Sequence, residues 1–313
     1  MGVYGKILGV FGLGMGAIMS MAVPVSGATL SVTSGLILHL APDSVTTDGF
    51  GNVTSWNDQS GLGNHATQGV AVYQPTLESG LTPSGADVVR FDSQDDADPE
   101  HLLIGANAAD FDATAMTWFV VFRADLATNN RRMLTSAYSD IDPGAPVDLE
   151  AQAWGIITDV STSPSDSGNG YRTLARTDTG GFNAASAGAG TPSALTDDMF
   201  VVGSSFLDTT TDEAFAMLTL PDGSQFTDSN TAATLQLDGH LQTLIGAQTG
   251  NDLIIDSGGW SGDIAAIVVY NRRLSTNEIA TVTEELRLAY TVPEPASLAL
   301  MALGVAGVSR RRY

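Results

Sequence analysis

The sequence predicts an all-β fold, a jelly-roll sandwich closed by one C-terminal α-helix. Two observations predict it. Short apolar runs recur between residues 29 and 291, separated by Gly, Asp, Asn, Ser and Thr, and no helical patterns alternate with them. Apolar residues at helical spacing occur once, near the end of this region. Neither a repeat of fixed period nor a linker divides residues 29–291, so one domain is expected there.

The strand candidates are compact or alternating apolar runs. The strongest is Met116–Arg123, which is rich in aromatic and β-branched residues. The others are Leu36–Leu40, Val53–Trp56, Val88–Phe91, Trp154–Thr158, Tyr171–Leu174, Phe200–Gly203, Ala214–Leu220, Leu241–Ile245 and Ile264–Tyr270. Small and polar residues dominate Asp159–Gly170 and Thr179–Pro192, which predicts loops over both stretches.

The predicted helix begins at a capping box, Ser275 to Glu278. The Ser275 hydroxyl can accept from an early backbone N–H while Glu278 reaches back to the cap. After it, four apolar residues recur at helical spacing and form one stripe. They are Ile279, Val282, Leu286 and Ala289.

The charge of the chain limits its partners. The formal net charge is −22, and the only lysine is Lys6, with three of the arginines at 310–312. The region between these ends is therefore strongly acidic, which excludes nucleic acid and anionic membrane surfaces as partners of the body and favours divalent cations. The absence of cysteine excludes disulfides, thiolate metal sites and a cysteine nucleophile.

Residues 1–28 have the pattern of a secretory signal peptide. Lys6 precedes an apolar run, Ile7–Ala22, and Pro24 then breaks the run. Ser26 and Ala28 supply small residues at the −3 and −1 positions of a cleavage site. The alternative interpretation is a permanent membrane anchor.

Residues 292–313 have three parts in a fixed order. Pro293, Glu294 and Pro295 come first, and an apolar segment, Ala296–Val308, follows them. Three arginines end the segment: Arg310, Arg311 and Arg312. The segment is short for a full span of about 20 residues, and terminal arginines favour the cytoplasmic side, so the body is expected outside the inner membrane.

This tail resembles the PEP-CTERM sorting signal. The resemblance implies recognition by an exosortase, removal of the hydrophobic segment and a transient stay in the inner membrane. It also implies a Gram-negative host that makes exopolysaccharide, and release of the protein to the cell surface or extracellular matrix. The Pro-Glu-Pro residues and the three arginines would then be parts of the signal that the sorting enzyme recognises, and would not form an active site of this protein.

Three stretches of the body resemble the concanavalin A-like, laminin-G-like jelly-roll family. They are Gly35–Asp43, Val53–Thr67 and Gly262–Ser275. The family includes lectins, glycan hydrolases and adhesion modules, so the resemblance implies the fold and leaves these functions open.

Motifs for catalysis are missing from the sequence. The glucanases of this fold use Glu-x-Asp-x-x-Glu, and no glutamate of the body has Asp two residues later. Neither a Gly-x-Ser-x-Gly elbow nor a paired histidine motif occurs. We therefore expect no catalytic residues and no enzyme activity; the alternative is a glycan hydrolase whose aspartates meet only on folding.

Three residues are candidates for ligand binding. Asp58 and Asn64 lie in a Gly-rich turn, where they either stabilise the turn or bind a ligand. Trp260 lies between glycines, so its ring either forms an exposed platform for a sugar or is buried where the last strand begins.

Calcium is the one candidate cofactor, because carboxylates suit it. Two acidic clusters could bind it, or could form a solvated acidic surface: Asp95, Asp96 and Asp98, and Asp140 and Asp142. Together with the two resemblances, these observations predict an exported, exosortase-sorted protein of the cell surface or exopolysaccharide matrix, with a non-catalytic structural or glycan-binding jelly-roll domain. A calcium-dependent adhesion module is a further alternative.

Overall fold

The computed structural model describes residues 27–93, 99–104, 108–125, 131–138, 154–159, 170–177, 182–188, 194–196, 198–231, 234–235, 237, 240–249, 255–256 and 259–293. The strands are β1 (Leu36–Leu40), β2 (Val45–Thr47), β3 (Val53–Trp56), β4 (Ala66–Thr67), β5 (Thr76–Glu78), β6 (Val88–Asp92), β7 (Leu102–Ile104), β8 (Ala115–Ala124), β9 (Arg131–Tyr138), β10 (Trp154–Asp159), β11 (Gly170–Arg176), β12 (Phe182–Ala187), β13 (Val201–Asp208), β14 (Glu213–Thr219), β15 (Gln225–Asn230), β16 (His240–Ile245), β17 (Gln248–Thr249), β18 (Ile255–Asp256) and β19 (Ser261–Tyr270).

The helices are short and few in this part of the chain. Short 3₁₀ turns cover Pro42–Ser44 and Ala71–Tyr73, and α1 covers Ala108–Phe111. Helix α2 covers Thr276–Leu286 and continues into a π-helical turn over Arg287–Thr291.

Two antiparallel sheets form the sandwich. The first has the order β15-β14-β13-β8-β19-β6-β5, with β1 paired to the other half of β19. The second has the order β12-β11-β10-β9-β16-β7-β4-β3-β2. Strands β17 and β18 form a separate pair. This architecture confirms the predicted all-β jelly-roll fold with one C-terminal helix.

The predicted loop at Thr179–Pro192 is wrong over its middle, where β12 pairs with β11. The small residues of this stretch favour a loop, but they also fit a strand that packs closely against the other sheet. Ala185 and Ala187 are buried in the core, where β12 lies against β14 and β15 of the other sheet. Residues 160–169, most of the other predicted loop, lie outside the described residues.

A large apolar core fills the space between the sheets. Its fully buried side chains include Trp56, Trp118, Trp260, Tyr171, Phe91 and Phe122. Burying one large apolar side chain contributes about 1.5–3 kcal/mol, so this core can hold a chain without disulfides. The hydroxyl of Tyr171 meets Ser205 of the facing sheet at 2.8 Å, and burial raises the pKa of Tyr171 above its ordinary value.

Helix α2 covers part of the outer face of the first sheet. Ser275 Oγ accepts from the Glu278 N–H at 3.3 Å, and the Glu278 carboxylate accepts from the Ser275 N–H at 2.8 Å. This confirms the predicted capping box. Three residues of the predicted stripe are buried against the sheet: Ile279, Val282 and Leu286. The fourth, Ala289, is partly buried and packs beside them.

Candidate functional site: a charged cleft at one end of the first sheet

Three charged residues lie side by side on the outer face of the first sheet, near one end of it. Asp263 of β19 pairs with Arg90 of β6 on one side and with Arg123 of β8 on the other. Side chains alternate along a strand. Because Phe91 and Phe122 belong to the core, the neighbouring Arg90 and Arg123 point away from it.

The carboxylate of Asp263 is shared by both guanidinium groups. Arg90 Nε donates to Oδ1 at 2.8 Å and Arg90 Nη2 to Oδ2 at 3.3 Å. Arg123 donates to Oδ2 from Nε at 2.9 Å and also from Nη2. Asp263 is only 2% exposed, and a charge so buried requires partners of this kind. The hydrogen bonds to Asp263 raise the pKa of Arg90 above its ordinary value.

The outer edges of the two arginines reach solvent. Their side chains are 37% and 26% exposed for Arg90 and Arg123, and Nη1 of each has no hydrogen-bond partner among the described residues. The Arg123 guanidinium also lies 5.1 Å from the centroid of the Phe200 ring, which fixes it in place. Two oriented donor groups therefore face outward.

The arginines line an open cleft of about 360 Å³. Its other lining residues are Phe91, Asp92, Ala124, Asp125, Asp198, Ser261, Gly262 and Asp263. Asp92, Asp125 and Asp198 are exposed. The lining thus combines guanidinium donors with carboxylate acceptors.

Ser261 adds a second kind of polar group to the cleft. It is 3% exposed, and its Oγ has no hydrogen-bond partner in the part of the chain that the structure describes. Ser261 lies two residues before Asp263 on β19, so both side chains lie on the outer face of the sheet. A buried hydroxyl without a partner carries a free-energy cost of about 1–3 kcal/mol. Because the Oγ atom is covered, a ligand hydroxyl can remove this cost only when binding opens the cleft around Ser261.

Gly262 allows the strands to come together beneath the cleft. Its φ is +146°, and a Cβ there would lie 2.4 Å from the Arg123 carbonyl oxygen and 2.7 Å from the Trp260 ring. Only glycine fits these constraints without displacement of β8 or Trp260. Gly262 therefore fixes the spacing of the two strands that carry Asp263 and Arg123.

Trp260 lies in the core beneath this region. Its ring is fully buried and meets Phe91 edge-on at a centroid distance of 6.0 Å. Nε1 donates to Oγ1 of Thr158 at 3.2 Å. The ring therefore forms no exposed platform for a sugar, and of the two expectations for Trp260 the buried one describes its position.

Asp58 organises its own turn. Its Oδ1 accepts from the N–H groups of His39 at 2.9 Å and Ser60 at 2.8 Å. Its Oδ2 accepts from the N–H groups of Gly63 at 3.1 Å and Asn64 at 3.0 Å. A carboxylate with both oxygens engaged in this way stabilises a loop.

Asn64 is buried beside this carboxylate. Its Nδ2 donates to the Ile37 carbonyl at 2.7 Å and to the Asp110 carboxylate at 3.2 Å. These bonds connect the turn to β1 and α1. The structure thus places Asp58 and Asn64 in one network of internal hydrogen bonds, apart from the residues that line the cleft.

The other predicted residues lie mostly outside the described part of the chain. They are Asp95, Asp96, Asp98, Asp140, Asp142, Glu294, Pro295, Arg310, Arg311 and Arg312. Pro293 is the last described residue and is half-buried. Within the described ranges, no group of three or more His, Cys, Asp or Glu side chains is arranged to hold a metal ion.

The cleft is not evident from the sequence, because its residues are far apart in the chain. Each one does carry a local signal, a charge inside an otherwise apolar strand pattern: Arg90 stands between Val89 and Phe91, and Arg123 follows Phe122. Such a charge must face outward or find a partner. Which partner it finds depends on strand register, which these patterns do not specify.

The solved structures similar to this chain are β-rich proteins of low sequence identity. The binding domain of botulinum neurotoxin DC in complex with SialylT is 10% identical, with a TM-score of 0.48 over 82% of this chain and 52% of that chain. A Trypanosoma rangeli sialidase is 15% identical, with a TM-score of 0.46 over 82% of this chain and 33% of that chain. This chain thus spans about a third of the sialidase.

A third solved structure is a single module. It is the CBM40 of the Ruminococcus gnavus IT-sialidase bound to α2,3-sialyllactose, 13% identical, with a TM-score of 0.41 over 66% of this chain and 97% of that chain. Comparison with curated proteins finds no match.

The tail gives a match in sequence. Helices long and apolar enough to cross a bilayer do not occur in the described ranges of the chain. Residues 291–312 match the PEP-CTERM protein-sorting motif, which implies recognition by an exosortase and export through a membrane-anchored intermediate. The chain therefore carries a PEP-CTERM sorting signal directly after its jelly-roll body.

Proposed function

We propose that the protein is released to the cell surface or exopolysaccharide matrix and acts there as a non-catalytic glycan-binding module. The cleft around Arg90, Asp263 and Arg123 is its binding site. The observation that carries the proposal is the pair of outward-facing guanidinium edges in an open cleft, whose lining also includes Ser261 with a hydroxyl that has no partner among the described residues. Polyhydroxylated sugars supply both acceptors and donors to such groups.

The charges of the cleft favour a neutral glycan or one with amino groups. Two arginines face four aspartates in the lining, and the whole chain has a formal net charge of −22. A field of this sign lowers the local concentration of uronates and other anionic sugars. Neutral hydroxyl groups and ammonium groups of amino sugars meet no such penalty.

The arrangement of Asp263 favours binding over hydrolysis. Most glycosidases use two carboxyl groups about 5–9.5 Å apart across the scissile bond, one of which gives or takes a proton. Both oxygens of Asp263 accept from arginines, so this buried carboxylate is the counter-ion that positions them. Release of reducing sugar from a polysaccharide panel by the purified protein would refute the non-catalytic proposal.

Binding is tested with two variants, each of which removes one buried hydroxyl. Ser261→Ala removes the unpartnered hydroxyl of the cleft. Thr219→Val removes another buried, unpartnered hydroxyl, in β14 and outside the cleft lining. Both should leave thermal stability unchanged or raised, because the buried hydroxyls make no hydrogen bond.

The expected result is selective loss of binding in Ser261→Ala. On an array of neutral, amino-sugar and uronate oligosaccharides, the wild type and Thr219→Val should bind the same neutral or amino-sugar ligand, and Ser261→Ala should bind it at least several-fold more weakly. Equal binding by all three proteins would show that the cleft is not the glycan-binding site. A parallel array with chelator separates this proposal from the alternative of a calcium-dependent adhesion module, for which Asp95, Asp96, Asp98, Asp140 and Asp142 are the candidate ligands.

A further inference from the structure

The row of polar side chains in the cleft continues past Arg90 to the edge of the first sheet. On the side away from Asp263, Arg90 pairs with Thr76 of β5, and Thr76 pairs with Asn52, directly before β3. Residues directly opposite each other in an antiparallel pair place their side chains on one face. Leu77 packs against the core, so Thr76 beside it points outward with Arg90. We call this line the polar row; its members are Arg123, Asp263, Arg90, Thr76 and Asn52.

Backbone hydrogen bonds on both sides of Asn52 fix the outer end of the polar row. The Val53 N–H donates to the Pro75 carbonyl at 2.7 Å, and the Leu77 N–H donates to the Gly51 carbonyl at 3.0 Å. Val53 is fully buried, so Asn52, the residue before it, points away from the core. The pairing with β5 therefore holds Asn52 in line with the residues of the cleft.

An exposed aromatic ring lies beyond this end of the row. Phe50 is 92% exposed and stands two residues before Asn52. Asp48 holds the loop in place: its Oδ1 accepts from the N–H groups of Phe50 at 2.8 Å and Asn52 at 3.0 Å, and its Oδ2 accepts from Asn52 Nδ2 at 2.8 Å. One exposed apolar side chain needs no explanation by itself. A ring on a fixed loop at the end of a polar row, however, offers a flat apolar surface to a sugar ring.

The polar row runs beside the part of the sheet that the helix covers. Two residues back along β6 and β8, Val88 and Val121 are fully buried in the apolar cluster to which α2 belongs. On the other side of the row the cleft is open. A long ligand can therefore extend across the strands, along the row, whereas α2 blocks the direction along the strands.

The length and the chemistry of the row fit several sugar units. From Arg123 to Asn52 the row crosses four steps between neighbouring strands, which at about 4.8 Å a step gives about 19 Å. The Thr76 hydroxyl makes one long contact, 3.5 Å to Glu78 Oε1. Hydroxyl and amide side chains both donate and accept, as do the hydroxyl groups repeated along a glycan.

We propose that the cleft is one end of a longer groove, and that this groove binds a linear polysaccharide within its length. Successive sugar units lie across the strands along the polar row, and one ring packs on Phe50. This inference rests on the proposed glycan binding and adds the form of the ligand, which is extended, unbranched and several units long. A site for a single terminal sugar would need only the residues of the cleft.

The test measures affinity against the length of the ligand. The probes are linear β-1,4-linked oligosaccharides of glucose, mannose or glucosamine with two, four or six units, titrated into the purified protein. The affinity of the wild type should rise at least tenfold from the two-unit to the six-unit ligand, because the longer chain reaches Thr76 and Phe50.

Two variants remove contacts at the far end of the row. Thr76→Val and Phe50→Ala should each weaken binding of the six-unit ligand several-fold and leave binding of the two-unit ligand unchanged. Ser261→Ala, in the cleft, should weaken binding of both ligands. Phe50 is almost fully exposed, so Phe50→Ala should keep the wild-type melting temperature and tests the groove even when Thr76→Val is less stable.

Thr227→Val is the matched control. Thr227 is an exposed threonine of β15, the strand at the opposite edge of the same sheet, and it pairs with Met217 of the apolar cluster on the outer face. It shares the residue type, the edge position and the outer face with Thr76, and it lies outside the polar row. Thr227→Val should bind ligands of every length as the wild type does.

The outcomes separate this inference from the proposed function. Equal affinity for all lengths, with weaker binding by Ser261→Ala, would overturn the groove and leave the cleft as a site for a single sugar. Equal losses in Thr227→Val and Thr76→Val would also overturn it, because the effect would then belong to the whole sheet. Failure of every oligosaccharide to bind the wild type would refute the groove and the proposed function together.

Discussion

The indole of Trp260 donates a hydrogen bond to the hydroxyl of Thr158, 3.2 Å away, and so joins the first sheet to the second. Trp260 stands at the start of β19, directly before the residues that line the cleft. Its ring fills the space under Gly262 and meets Phe91 of β6. The bond therefore fixes the ring that supports the cleft from the core side.

Thr158→Val is expected to destabilise the fold by about 1–3 kcal/mol, because it leaves the buried indole N–H without its acceptor. Thr158→Ser keeps the acceptor and should cost less. Urea denaturation of the two variants measures the difference. Equal stabilities for Val and Ser at position 158 would show that the hydrogen bond does not contribute.

Asp263→Asn should destabilise the protein by about 3 kcal/mol. The variant leaves two guanidinium groups beside an uncharged side chain at a position that is 2% exposed. Because the arginines are partly solvated, we expect the lower end of the range for a broken buried ion pair. Asp92→Asn, at an exposed residue of the same cleft, should change the free energy of unfolding by less than about 0.5 kcal/mol.

Gly262→Ala should cost more than Gly223→Ala. Both glycines have positive φ, +146° and +87°, so alanine is strained at either position. At Gly223 a Cβ would meet open space, whereas at Gly262 it would meet the Arg123 carbonyl oxygen at 2.4 Å. We expect about 1 kcal/mol at Gly223 and about 2–3 kcal/mol at Gly262. Comparable melting temperatures for the two variants would contradict the close approach of β8 and β19.

Acidification should destabilise the wild type relative to His39→Leu. Burial lowers the pKa of His39 below its ordinary value of 6.5, against the opposing effects of Asp43 and Asp58, and its Nε2 meets no hydrogen-bond partner within the described ranges. His39 therefore binds a proton more readily in the unfolded chain than in the folded one. The contribution of neutral His39 to the free energy of unfolding is complete above pH 6.5 and is lost as the pH falls below it.

The measurement is the urea midpoint of both proteins between pH 7.5 and pH 5. The change in overall charge acts on both proteins alike, so the difference between their midpoints reports His39. This difference should shift in favour of His39→Leu as the pH falls. Parallel curves would show that His39 takes up protons equally in the folded and unfolded states.

Features that depend only on neighbours along the chain are predictable from the sequence. The bounds of β1 and β3 coincide with the predicted runs Leu36–Leu40 and Val53–Trp56, and α2 begins at the predicted cap, Ser275. The sorting signal was also readable, since its three parts are consecutive. Periodicity, capping and motif order are local properties, and a linear sequence contains them directly.

Which charged side chains meet depends on how distant strands pair in the folded protein. Arg90, Arg123 and Asp263 are up to 173 positions apart, and one residue of slip in the register of β6 or β8 would turn its arginine toward the core. The same holds for Trp260, whose burial requires Thr158 and Phe91 to surround it. Pairing between distant strands is set by the packing of the whole sandwich, so neither the cleft nor its support is written in any one segment.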